Sequence, residues 1–204
     1  MHETSLGRMV QDYITGEELE ETSYEEFRQA TARMLVEERG YPRESLTPRV
    51  PVVFPVKGEE YCRMVDFVVT DEHGSPVLLI FFVAGQPGTY DREVIATARI
   101  FTQGAVPLVA VTDSKTAYLY ETATGECLAR DERALPRYSY VQELAKEHPA
   151  QTYSEKRLNA ERRILYAYSE FIYGSCCASC TPESEDGLRG GKLGQMSSKE
   201  NAPD

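Results

Sequence analysis

Residues 76–84 carry no charge and put apolar side chains on both faces of any strand they form. Val77, Leu79, Phe81 and Val83 fall on one face, with Leu78, Ile80 and Phe82 on the other, because side chains alternate along a strand. A strand of that kind must be covered on both sides, so the chain needs a layered fold with a sheet at its centre. A second run, residues 63–70, precedes it across the polar turn 71–75. There Met64, Asp66 and Val68 share one face and Val65, Phe67 and Val69 the other. Asp66 is the anomaly. A carboxylate inside an apolar strand costs free energy unless it is paired, hydrogen-bonded or bound to metal.

The length of 204 residues suits one ordinary domain with extensions, and 41% hydrophobic residues suffice for one substantial core. The longest apolar run is too short to span a bilayer. Residues 1–4 lack the basic flank and apolar stretch of a signal peptide, so a soluble cytoplasmic protein is expected. Five cysteines, an odd number, suit reduced thiols better than a disulfide framework. The net charge of -11 weighs against tight non-specific nucleic-acid binding, which draws on counterion release by a basic surface. A protein partner or self-association fits better, and no membrane is involved.

From the start, Leu6, Met9, Val10 and Tyr13 fall at helical spacing, which predicts a short helical lead-in over residues 1–22. Residues 17–26 hold six carboxylates and no base, the pattern of a solvated face. Thr22 or Ser23 can cap a helix over residues 24–39, with Glu25 and Glu26 near its positive end and Gly40 at its close. Phe27, Ala30, Met34 and Leu35 mark its expected inner face. Prolines 48, 51 and 55 make residues 47–56 an edge strand. After the two central strands come a helix over residues 91–102, a strand over 106–111, and two short strands up to about residue 129. The strand–helix–strand passage is a crossover, implying a mixed sheet of about five strands flanked by helices. Residues 131–174 read as a separate helical extension. Its main helix spans 154–173, with Leu158, Leu165 and Ile172 seven apart, to pack on the domain or pair with a partner helix. Residues 175–204 read as a cysteine-containing disordered tail.

This order of helix, hairpin, strand, helix and two strands resembles the restriction-endonuclease-like α/β fold of the PD-(D/E)XK nucleases. Several stretches resemble more narrowly the N-terminal nuclease domain of type I restriction enzyme R subunits. They are Tyr24-Glu25-Glu26-Phe27-Arg28-Gln29, Gly40-Tyr41-Pro42, Val65-Asp66-Phe67-Val68-Val69, Val106-Pro107-Leu108-Val109-Ala110-Val111-Thr112-Asp113 and Tyr120-Glu121-Thr122-Ala123-Thr124-Gly125. The likeness spans about residues 23–128 and does not cover the C-terminal third, and the domain itself is expected over residues 23–130. It implies an Asp at the end of one strand, and an acid and a Lys two residues apart on the next. Residues two apart face the same way. The carboxylates would thus share a divalent cation that activates water, with the Lys assisting.

Asp66 matches the first of those positions. The acid position falls on Phe81 and the Lys position on Val83, neither of which binds a cation or moves a proton. The expected domain is therefore a nuclease scaffold without nuclease chemistry, needing no cofactor and acting in binding or assembly. One alternative is an active Mg-dependent endonuclease whose second acid has moved to Glu25, Glu26, Asp91 or Glu93, with Arg92 or Arg99 replacing the Lys charge. For a silent Asp66, backbone amides or an arginine such as Arg63 or Arg99 are the expected partners. A third class is a regulatory module clipped by zinc or an iron–sulfur cluster at Cys176, Cys177 and Cys180. Residues 85–88 lack dinucleotide or Walker spacing and read as a plain turn. His2, His73 and His148 fall in a terminus, a turn and a connector, and suggest no catalytic constellation.

Overall fold

The computed structural model describes residues 5–169. A six-stranded mixed sheet runs in the order β3-β4-β5-β6-β7-β8, one strand more than expected. Its strands are β3 (Leu46–Val56), β4 (Glu59–Thr70), β5 (Pro76–Phe82), β6 (Leu108–Thr112), β7 (Ala117–Glu121) and β8 (Cys127–Arg130). Proline-rich β3 lies at one edge, where missing N–H donors cost least. The β5–β6 pair is parallel, and the chain between them passes through helix α2 (Asp91–Arg99), so the predicted crossover is present. The other neighbouring pairs are antiparallel. The chain has an α/β fold with a restriction-endonuclease-like core.

Both faces of β5 are covered, as its sequence demands. Leu78 and Ile80 pack with Phe67, Leu108 and Leu119 under helices α1 (Ser23–Arg33) and α3 (Tyr138–Glu147). Leu79, Phe81 and Val83 pack on the other side with Val94, Ile95 and Ala98 of α2. Leu135, Val141 and Leu144 belong to the first of these clusters. Helix α4 (Glu155–Tyr168) buries Leu165 beside Phe54, Tyr61 and Ala96, and Ser154 caps its start. Within α4, Glu161 is buried and receives Arg99 Nη1 at 2.9 Å, an ion pair that fastens it to α2.

The lead-in is not helical. Ser5–Gln11 forms β1 and Glu18–Thr22 forms β2, an antiparallel hairpin outside the main sheet. Gly7 sits at φ +69°, a conformation that breaks a helix but suits an irregular strand, and the β1–β2 register shifts beside it. Helix α1 begins as predicted, with the Thr22 hydroxyl accepting from the Glu25 N–H. It ends as an α-helix at Arg33 and continues as a wider π turn, Met34–Glu38, before Gly40. Its inner face also differs from expectation. Phe27 is 43% exposed, whereas Glu25, Arg28, Gln29 and Ala32 are buried. Asp12, from the β1–β2 turn, explains this. Its carboxylate pairs with Arg28 and accepts from Gln29 Nε2 at 3.2 Å, while Glu25 pairs with the same guanidinium.

Cys127 is a free, half-buried thiol on β8. No helix among the described residues is long and apolar enough to cross a membrane. The cysteines at 176, 177 and 180, Ile172 and the expected disordered tail lie outside the described residues.

Candidate functional site

Asp66 stands where β4 parts from β5. Pairing between these strands covers Phe67 to Thr70 on β4 and stops after Phe67–Ile80. Continuing that register would place Asp66 opposite Phe81. Instead the Asp66 side chain takes the next ladder donor, with the Phe82 N–H reaching Oδ2 at 2.7 Å. On the β3 side, register holds to either side of the Arg49–Asp66 position, where Arg49 adopts φ +53°. Strict alternation fails there. Val65 and Val68, three apart, both join the cluster under α2, whereas Phe67 and Val69 join the other. The carboxylate thus does the backbone's work at a distortion of the sheet.

Helix α1 closes the site from above. The Tyr24 hydroxyl donates to Asp66 Oδ1. The Tyr24 ring meets the Phe82 ring edge-on at 5.2 Å, and Phe27 stacks on Phe82, also at 5.2 Å. Asp66 is left 2% exposed. Burial pushes its carboxyl above the ordinary value, against the Tyr24 hydroxyl, the Phe82 N–H and the charges of Arg63 and Arg28, which all pull it down. A carboxyl that resists ionisation is a poor ligand for a hard cation, which needs the deprotonated form.

Phe81 in β5 and Val83 just past its end are apolar and buried. Phe81 is 0% and Val83 4% exposed, both packed against α2. The Arg63 guanidinium lies over the Phe81 ring at 5.1 Å. Its Nε is 2.6 Å from Oε1 of Glu93, which reaches down from the first turn of α2.

The four candidate replacement acids have other partners or face water. Glu25 is tied to Arg28 and Gln29, the latter at 2.6 Å. Glu26 is exposed. Asp91 accepts from the Arg92 N–H at 2.5 Å, and Glu93 is bound to Arg63. Arg92 is exposed. Arg99 does not approach Asp66; besides Glu161 it donates to the Thr122 and Ala123 carbonyls. Among the described residues, no three His, Cys, Asp or Glu side chains converge on a metal-sized site. A divalent cation does not fit the residues present. The one buried carboxyl already takes a hydrogen bond on each oxygen, the apolar side chains of Phe81 and Val83 are buried beside it on β5 and just past its end, and Arg63 lies over the Phe81 ring. Of the expected partners of Asp66, a backbone amide and the charge of Arg63 are found. Tyr24 was missed. Its spacing of one residue before Glu25 gives no sign of contact 42 positions away.

Residues 23–136 match the family described as type I restriction enzyme R protein N terminus (HSDR_N). The chain belongs to this family. The match takes in α1, both central strands and α2, and with them every residue around Asp66. No curated protein and no solved structure matches the chain. As a member of this family it carries the scaffold of an R-subunit N-terminal domain.

Proposed function

We propose that this is an R-subunit N-terminal-like domain that has lost cleavage chemistry and acts in binding or assembly. One observation carries the reading. Asp66, the acid that matches the family's nuclease pattern, is buried and hydrogen-bonded on both oxygens by Tyr24 and Phe82, with apolar Phe81 and Val83 buried at the positions where an acid and a base would stand. Metal-assisted hydrolysis needs at least one more oxygen ligand and room for an attacking water. Neither is compatible with an aromatic ring and a valine in close-packed contact with α2.

A role in assembly draws support from the family, whose printed description places it in a restriction enzyme's R protein, and from the acidic surface of a chain with net charge -11. The test is incubation of the pure chain with plasmid DNA, linear DNA and RNA in Mg²⁺ or Mn²⁺, beside the Asp66→Asn variant. No cleavage above buffer by either protein is expected. Cleavage by the native chain that the variant lacks overturns the proposal.

A further inference from the structure

Helix α1 is held unevenly along its length. Its far end enters the main core through Ala32, and through Leu35 of the π turn that follows. The part up to Gln29 instead buries Glu25, Arg28 and Gln29. Polar side chains resist burial unless each finds a partner. Among the described residues, their hydrogen-bond partners outside the helix come from the β1–β2 turn. Asp12 Oδ2 pairs with Arg28 and accepts from Gln29 Nε2 at 3.2 Å, and the Tyr13 N–H donates to Gln29 Oε1 at 2.6 Å. Asp12 is itself fixed, because the Ile14 and Thr15 N–H groups both donate to its Oδ1 at 2.8 Å. The same part of α1 carries Tyr24 and Phe27, whose rings cover Phe82, and the Tyr24 hydroxyl donates to Asp66.

We propose that the β1–β2 hairpin is a strap that holds this part of α1 shut over Asp66, with Asp12 as its clasp. No loop separates β2, which ends at Thr22, from α1, which begins at Ser23, so a displaced hairpin carries the start of the helix with it. The family match begins at residue 23, so the strap lies ahead of the matched residues. A lone two-stranded ribbon is marginally stable and depends on what it packs against. Of residues 5–22, Asp12 and Glu21 are buried, and Glu21 pairs within the hairpin with Arg8. Tyr13 and Ile14 add partly buried contact with the core. The clasp is therefore the main polar tie between the hairpin and α1. When it releases, Tyr24 and Phe27 lift from Phe82, and water reaches Asp66 and the Phe82 N–H bonded to it.

The experiment follows amide hydrogen exchange in the full chain by NMR. The Phe82 N–H, bonded to Asp66 Oδ2, reports on the covered site. The Val106 N–H, bonded to the Ala98 carbonyl at 3.0 Å, reports on opening elsewhere in the fold. Asp12→Asn keeps an oxygen for the Ile14 and Thr15 N–H groups but sets an amide against Arg28. Gln29→Met removes the helix side of the tie without leaving an unpaired charge. Each variant is expected to speed Phe82 exchange about tenfold more than Val106 exchange, the factor that one lost buried hydrogen bond sets. Glu161→Gln, which loosens α4 from Arg99, should affect the two amides alike. The inference is overturned if the hairpin variants speed both amides equally, or if Glu161→Gln singles out Phe82 as strongly as they do. Should Asp12→Asn fail to fold, Gln29→Met decides. Failure of both to fold also overturns the inference, because the hairpin would then belong to the cooperative core. Nucleic-acid cleavage by the native chain would remove the inactive-scaffold reading and leave the strap untouched.

Discussion

Tyr24 and Asp66 are joined through a hydrogen bond from the phenol to the carboxyl, linking the first turn of α1 to the break in the central hairpin. The contact closes the space above Asp66 and gives α1 a fixed position over the end of β5. A cleft that had to admit a scissile phosphate would leave that oxygen free.

Removing the phenol hydroxyl should therefore weaken the fold and restore nothing. Tyr24→Phe leaves the ring packing on Phe82 in place but strips one donor from a buried carboxyl. A cost of about 1–3 kcal/mol is expected for a buried oxygen left without its partner. Urea unfolding measures it, and no nuclease activity should accompany the loss.

Asp66→Asn should shift the balance with pH. The folded-state pKa of Asp66 is raised, so the native state holds its proton more firmly than the unfolded chain. The stability tied to that proton is fully present below the unfolded value and is lost as pH rises through the folded one. The stability of the native chain relative to Asp66→Asn should thus increase as pH falls from 7 toward 4. A constant difference in denaturation midpoint would show no shift on folding, and an opposite trend would show the carboxylate to be stabilised by its site.

Asp12 behaves in the reverse sense. Burial alone would raise its carboxyl, but the Thr15 N–H, Arg28 and the Ile14 N–H outweigh burial and hold it at about 2. Its contribution is present above the unfolded value of 3.8 and is lost as pH falls toward 2. Asp12→Ala leaves Arg28 and Glu25 in a broken buried network, a change that costs about 3–5 kcal/mol. Chemical denaturation at pH 7 should show a drop of that size, most of which disappears in acid.

Phe81→Ala tests whether this position is core or cleft. A fully buried phenylalanine loses both transfer energy and packing on truncation, about 3–5 kcal/mol. A residue on the floor of an open cleft would lose far less. The measured free energy of unfolding separates the two.

The sheet was legible because β5 is apolar on both faces, and no arrangement but a covered central strand accommodates that. The crossover followed from the order of runs, and the start of α1 from the Thr22 cap. The hairpin before it was hidden. Leu6, Met9 and Val10 happen to fit helical spacing, and a two-stranded sheet with few buried residues imposes no alternation that would contradict it. The polar inner face of α1 was hidden for another reason. Arg28 and Gln29 are buried only because Asp12 arrives from 16 and 17 residues away to meet them. Helix α4 reads as detachable until Glu161 is seen to meet Arg99, 62 positions earlier. At the site, the apolar character of positions 81 and 83 was plain in Phe81 and Val83. The partners that hold Asp66 come from α1 and from a backbone amide, and strand periodicity encodes neither.

The most direct measurement is single-turnover incubation of radiolabelled DNA with a large molar excess of the pure chain, in Mg²⁺ and in Mn²⁺, over many hours. With the site closed by Tyr24, Phe81 and Val83, the substrate should persist as it does in buffer alone. Product that accumulates with the native chain and vanishes on Asp66→Asn would contradict the account.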